Sequence, residues 1–97
     1  MSADEVQDTR TIREALLNDA LRIVHGTREE EYGTPMNNFK LIADLWTNYL
    51  RMPIIPADVA AMMVLLKVAR LSNDPTSRDG WLDIAGYAAC GAEVAPK

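Results

Sequence analysis

The sequence predicts an all-α domain, a four-helix bundle over about residues 12–25, 35–50, 56–71 and 77–90 with short loops. Three observations predict it. Apolar residues recur at helical spacing in each segment. Caps, prolines and glycines stand where such helices would start and stop. No segment alternates with period two as a half-buried strand would. The 97 residues suit one domain, residues 1–97. A chain of this size buries roughly 65% of its unfolded surface, enough for a core without disulfide or metal.

Residues 1–10 read as a loose, flexible arm, polar and acidic, with few apolar residues to hold it down. Thr11-x-x-Glu14 has the form of a capping box and sets the first helix going. Ile12, Leu16, Ala20 and Ile23 recur at helical spacing, Leu17, Leu21 and Val24 widen the stripe, and Gly26 is a natural stop. The stretch GTREEEYGT then loses all apolar periodicity and reads as a loop or a broken helical continuation. Thr34-Pro35 supplies an N-cap followed by proline at the first helical position, where its missing N–H costs nothing. Phe39, Ile42, Trp46 and Tyr49 form the stripe of the second helix. Pro53 and Pro56 bracket a short connection.

The third helix, PADVAAMMVLLKVARL, has no polar side chain between Val59 and Leu66. A helix apolar on all sides is normally buried, so this run is expected to be the central spine. At about 16 residues it falls short of the ~20 a membrane span needs. Asp58 favours its N-terminus, and Lys67 and Arg70 favour its C-terminus. SNDPTSR is a turn, and Asp74 or Asp79 is a candidate cap for the fourth helix. Gly86 inside that helix costs about 1 kcal/mol against alanine, which points to close approach of a neighbour. Residues 92–97 read as a frayed, flexible tail. Short loops make an up-down-up-down topology the default. The apolar content of the second and third helices points to a homodimer or higher homo-oligomer.

Hydrophobic residues make up 48% and charged residues 25%, with a net charge of -4. No basic stripe would draw the chain to duplex nucleic acid. Local cations can still bind a small anion. The single Cys90 cannot form an internal disulfide, and the N-terminus lacks the apolar core of a signal peptide. The expected setting is intracellular and reducing, in the cytoplasm, with no membrane partner.

Lys67 and Arg70 share a face at i, i+3, and Asp79 and Asp83 share one at i, i+4. A hairpin of the third and fourth helices would gather all four. Two readings follow: a structural ion-pair clamp, or a site in which carboxylates hold a divalent cation and the cations hold phosphate. Glu29, Glu30 and Glu31 form the other acidic group. One of them with Asp79 and Asp83 would suffice for Mg²⁺ completed by phosphate and water. A charge run is otherwise a solvated face. His25, at a helix end, is read as a dipole partner and Cys90 as a small buried hydrophobe. Tyr32 stands apart in the polar loop.

The pattern Gly26-x-Arg28-x-x-x-Tyr32-Gly33-x-Pro35, Asn38-Phe39, Lys67-x-x-Arg70 and Asp79-x-x-x-Asp83-x-x-Gly86-Tyr87 resembles a family of small phage-encoded helical proteins. That family looks like the nucleotide-modification-associated domain. It is more distantly similar to the all-α (MazG-like) nucleoside triphosphate pyrophosphohydrolases. The resemblance implies an all-α oligomer that cleaves a nucleoside triphosphate between its α and β phosphates with Mg²⁺, in the host cytoplasm. It assigns catalysis to Glu30, Glu31, Asp79 and Asp83, and metal ligation to Glu31, Asp79 and Asp83. Lys67, Arg70 and Arg28 would meet phosphates, and Tyr32 or Asn38 the base or sugar. The established enzymes carry Glu-x-x-Glu and then Glu-x-x-Asp. This chain has no Glu-x-x-Glu, and its second pair is spaced by four. A non-catalytic module that sequesters nucleotide or docks on a host protein is the alternative.

Overall fold

Helix-forming sequence dominates this chain, and the computed structural model is correspondingly all-α. It describes residues 3–25 and 33–97, with side chains from Arg10 onward in the first segment. The elements are α1 (Ala3–His25), α2 (Pro35–Leu50), α3 (Pro56–Asn73) and α4 (Arg78–Val94), with no strand among the described residues.

The ends of α2 match the sequence reading, and the local chemistry explains why. The Thr34 hydroxyl accepts from the Asn37 N–H at 3.2 Å, and Pro35 follows at the first turn. The helix closes on Arg51 in the left-handed region at φ 57°, its N–H donating to the Thr47 carbonyl at 2.8 Å. Thr47 then pins the connection to α3. Its hydroxyl accepts from the Ile54 N–H at 2.9 Å and donates to the Ile54 carbonyl at 3.3 Å. At the start of α3 the Asp58 carboxylate accepts from the Ile55 N–H at 3.0 Å.

Other boundaries differ. The expected loose arm is helical from Ala3, so α1 starts well before Ile12 and Thr11 lies inside it rather than at a cap. Alanine, glutamate and glutamine favour helix in this stretch of sequence. α3 runs on to Asn73. The cap of α4 is Ser77, whose hydroxyl accepts from the Gly80 N–H at 3.2 Å, not Asp74 or Asp79. Asp74 instead folds the turn, accepting from the Thr76 N–H at 3.1 Å and its hydroxyl at 2.6 Å. α4 reaches Val94, which is buried, so the expected frayed tail is anchored at that point.

The expected spine is also displaced. α4, not α3, touches every other helix, whereas α1 packs on α4 alone among the described residues. α3 buries only Val59, Ala60 and Leu71 and leaves its outer face exposed. The core gathers Phe39, Ala43, Val59, Ala60, Cys90 and Val94. The Phe39 and Tyr87 rings stack over it at 6.4 Å. Tyr49, expected in the α2 stripe, is exposed; Ala43 takes the inward position.

α3 and α4 run antiparallel. Leu71 meets Gly80, Lys67 meets Asp83 and Ala60 meets Gly91, all about symmetric around the Pro75–Thr76 turn. α1 runs parallel to α4, because Asp19 reaches Arg78 and Val24 reaches Gly86. That overturns the up-down-up-down expectation. The result is elongated, 56 × 29 × 26 Å, with a radius of gyration of 15.8 Å. A compact domain of this length would have about 12.5 Å. Among the described residues no helix is long and apolar enough to cross a membrane.

The close approach expected at Gly86 falls elsewhere. A Cβ on Gly86 would sit 3.9 Å from Val24, an ordinary contact, whereas one on Gly91 would meet the Ala60 Cβ at 3.1 Å and one on Gly80 would meet Leu71 Cδ2 at 2.8 Å. Gly86→Ala should therefore stabilise by about 0.5–1 kcal/mol through helix propensity alone. Gly91→Ala should gain nothing or lose up to about 1 kcal/mol, since Ala60 cannot rotate away. Urea unfolding of the two variants checks the ordering. Equal gains at both positions would contradict this α3–α4 seam.

Candidate functional site

The hairpin does bring the predicted charges to one end. α3 packs against α4 with Leu71 at Gly80 and Ala60 at Gly91. Ser77 fixes where α4 begins, and that places Asp83 opposite Lys67. Lys67 Nζ donates to Asp83 Oδ2 at 2.9 Å. The two side chains are 18% and 32% exposed, so the bond is partly shielded from water. It is the one predicted pairing the structure makes. Arg70 and Asp79 are both exposed and form no ion pair with a described residue. Asn38 is half-buried on α2 and forms no hydrogen bond with this group. Arg28, Glu30, Glu31 and Tyr32 lie outside the described residues.

A second ion-pair group was not foreseen. Asp19 on α1 accepts from Arg78 on α4 at 2.6 Å and also from Arg22, one turn along its own helix. It holds the start of α4 to α1, so both flanks of α4 are charge-tied, one to α1 and one to α3. No sequence spacing announces a pair 59 residues apart. Only the parallel run of α1 along α4 creates it.

Of the predicted site residues, only Asp83 borders any of three hollows among the described residues. Between α1 and α4, Asp83 edges a depression floored by Val24, Gly86 and Cys90 that has room for little beyond a water molecule. A wider open groove runs between Ile12, Arg13 and Leu16 of α1 and Thr76, Arg78 and Trp81. Trp81 is fixed there by donating from Nε1 to the Pro75 carbonyl at 3.0 Å. None of Lys67, Arg70, Asp79 or Asp83 lines that groove. His25 and Cys90, distant in sequence, edge one further hollow with Pro35 and Glu93.

Mg²⁺ was expected on Glu31, Asp79 and Asp83. In that set the Asp83 carboxylate already holds the Lys67 ammonium. Among the described residues no three histidine, cysteine or acidic side chains lie close enough to hold an ion. The described residues alone therefore do not fit the ion, and no step is derived through it.

An all-α chain with an ion-paired hairpin describes a class of small helical domains. Within that class, residues 15–95 match the family described as Domain of unknown function (DUF6378), and the chain belongs to that family. It is similar to the Gene 55 protein of Mycobacterium phage D29, 46% identical over 77 residues, covering 79% of this chain and 51% of the relative. It is also similar to the Gene 55 protein of Mycobacterium phage L5, 43% identical over 75 residues, covering 76% of this chain and 48% of the relative. The chain thus spans about half the length of these curated relatives. No solved structure matches it. The expected kinship with phage-encoded helical proteins stands on these matches.

Proposed function

We propose that this domain handles a phosphate-bearing nucleotide at the turn end of the α3–α4 hairpin. In its finer form the reading is a nucleoside triphosphate pyrophosphohydrolase or a related phage nucleotide-processing protein. The observation that carries it is the Lys67–Asp83 contact beside the hairpin turn, with Arg70 and Asp79 each about one helical turn along α3 and α4 from that pair. Arg70 and Lys67 supply the charge that phosphate oxygens need, and a phosphate arriving at Lys67 would compete with Asp83 for its ammonium. Release of Asp83 in that exchange would leave two carboxylates, Asp79 and Asp83, one helical turn apart. The acidic set that the resemblance implies for Mg²⁺ would need Glu30 or Glu31, outside the described residues, beside those two.

A second reading is favoured by the Lys67–Asp83 bond itself. A carboxylate and an ammonium that satisfy each other make a clamp, and the domain is then a non-catalytic module that sequesters nucleotide or docks on a host protein.

Two measurements on the purified chain separate these. Incubation with each dNTP and NTP plus Mg²⁺ or Mn²⁺ should release pyrophosphate if the domain is a hydrolase. Thermal shift with the same panel reads binding, because a ligand at 100 Kd adds about 2.7 kcal/mol. Stabilisation without turnover favours sequestration. If no member of the panel shifts the melting temperature beyond the nucleotide-free control, the nucleotide reading is overturned.

A further inference from the structure

We infer that the outer face of α3 is the interface of an antiparallel, two-fold symmetric homodimer with Leu65 on the dyad. At 100° per residue, Ala61, Met62, Leu65, Val68 and Ala69 fall on one side of α3. All five are exposed: Leu65 is 64%, Val68 46% and Met62 41% accessible. Asp58 closes the face at one end and Ser72 at the other. Lys67, Ala60 and Leu71 lie on the opposite side, against α4. No charge interrupts the strip.

The occupant follows from the order of sizes along it. Turning a second α3 about a dyad at Leu65 sets Leu65 beside its own copy. The same operation brings Met62 level with the partner's Ala69 and Ala61 level with the partner's Val68. Each large side chain then meets a small one, twice over, which is the self-complementarity that an isologous interface requires. A parallel pairing would oppose Met62 to Met62 and Ala69 to Ala69, leaving bulk against bulk and gap against gap.

The area sets the strength. α3 has 18 residues. A face about 27 Å long and half a helix circumference wide, roughly 16 Å, buries on the order of 900 Å² over both copies. That is below the standard interface of about 1,600 Å², so the dimer is reversible, in the micromolar range or weaker.

Because Lys67 and Arg70 point away from this face, the dimer and the nucleotide reading fail or succeed separately. Sedimentation of the full chain from about 10 μM to about 1 mM should show a monomer–dimer equilibrium. Leu65→Lys should hold it monomeric while its circular-dichroism melt at low concentration stays unchanged, since the residue is exposed in the monomer. With a short bis-maleimide, Leu65→Cys should link to itself. Met62→Cys should link to Ala69→Cys in a mixture far more than to itself. Buried Cys90 is the background, read from the unsubstituted chain. A monomer throughout that range overturns the inference, as does a dimer that survives Leu65→Lys. Met62→Cys linking mainly to itself overturns the antiparallel dyad.

Discussion

Phe39→Ala should lower the unfolding free energy by about 3–5 kcal/mol, the largest effect expected of any single truncation in this chain. Phe39 is 3% exposed and sits where α2, α3 and α4 meet. Its ring also stacks on Tyr87 at 6.4 Å. Truncation removes the transfer energy of the ring and leaves a hole bounded by Ala43, Val59 and Ala60. Those neighbours are too short to fill it and their helices are held by the Thr47–Ile54 bonds. Phe39→Leu should cost about 1–1.5 kcal/mol, because it keeps most of the volume. Denaturant unfolding at fixed protein concentration measures both. A Phe39→Ala loss below about 1 kcal/mol would mean that α2 is not fastened to the α3–α4 hairpin through this ring.

The same residue shows why parts of the fold were legible in sequence. Phe39 lies four residues after Pro35, and Thr34-Pro35 fixes both the start and the phase of α2, so its inward stripe could be read off directly. The exception, Tyr49, fails because α2 outruns its neighbours there. Periodicity reports which residues share a face but not how far the partner extends.

α3 fails for a related reason. An all-apolar run says that the helix must be covered, not that its own chain covers it. Val59 and Ala60 are covered and Leu65 is not. The parallel course of α1 was illegible because loop length is a weak guide to direction. What sets it is contact of Asp19 with Arg78 and of Val24 with Gly86, both long-range. Gly80 and Gly91 could have been noticed as the small partners of Leu71 and Ala60, but only once the hairpin register was known. In the site, Lys67 with Asp83 was legible from helical spacing plus a hairpin. Arg70 and Asp79 share the end without sharing a bond. The residues expected from the loop, Glu30, Glu31, Arg28 and Tyr32, lie outside the described residues.

The second large effect concerns that bond. Asp83→Ala should destabilise by about 1–3 kcal/mol, since it leaves the Lys67 ammonium, 18% exposed, without its partner. Lys67→Met should cost less, because the methionine fills the stem's place and Asp83, at 32% exposure, can turn to water. The double variant Asp83→Ala/Lys67→Met should recover most of the loss, giving a coupling of about 1–2 kcal/mol in the thermodynamic cycle. Raising salt from low to about 1 M should shrink that coupling only in part, as shielding limits screening. If the pair is only a clamp, these stability changes are the whole phenotype. If the end also receives phosphate, any nucleotide-induced shift in melting seen in the unsubstituted chain disappears in Lys67→Met, while Asp83→Ala, which frees the ammonium, keeps or enlarges it. A coupling near zero would remove the clamp, because two groups at 2.9 Å in a half-buried setting cannot be energetically indifferent if that contact persists in solution.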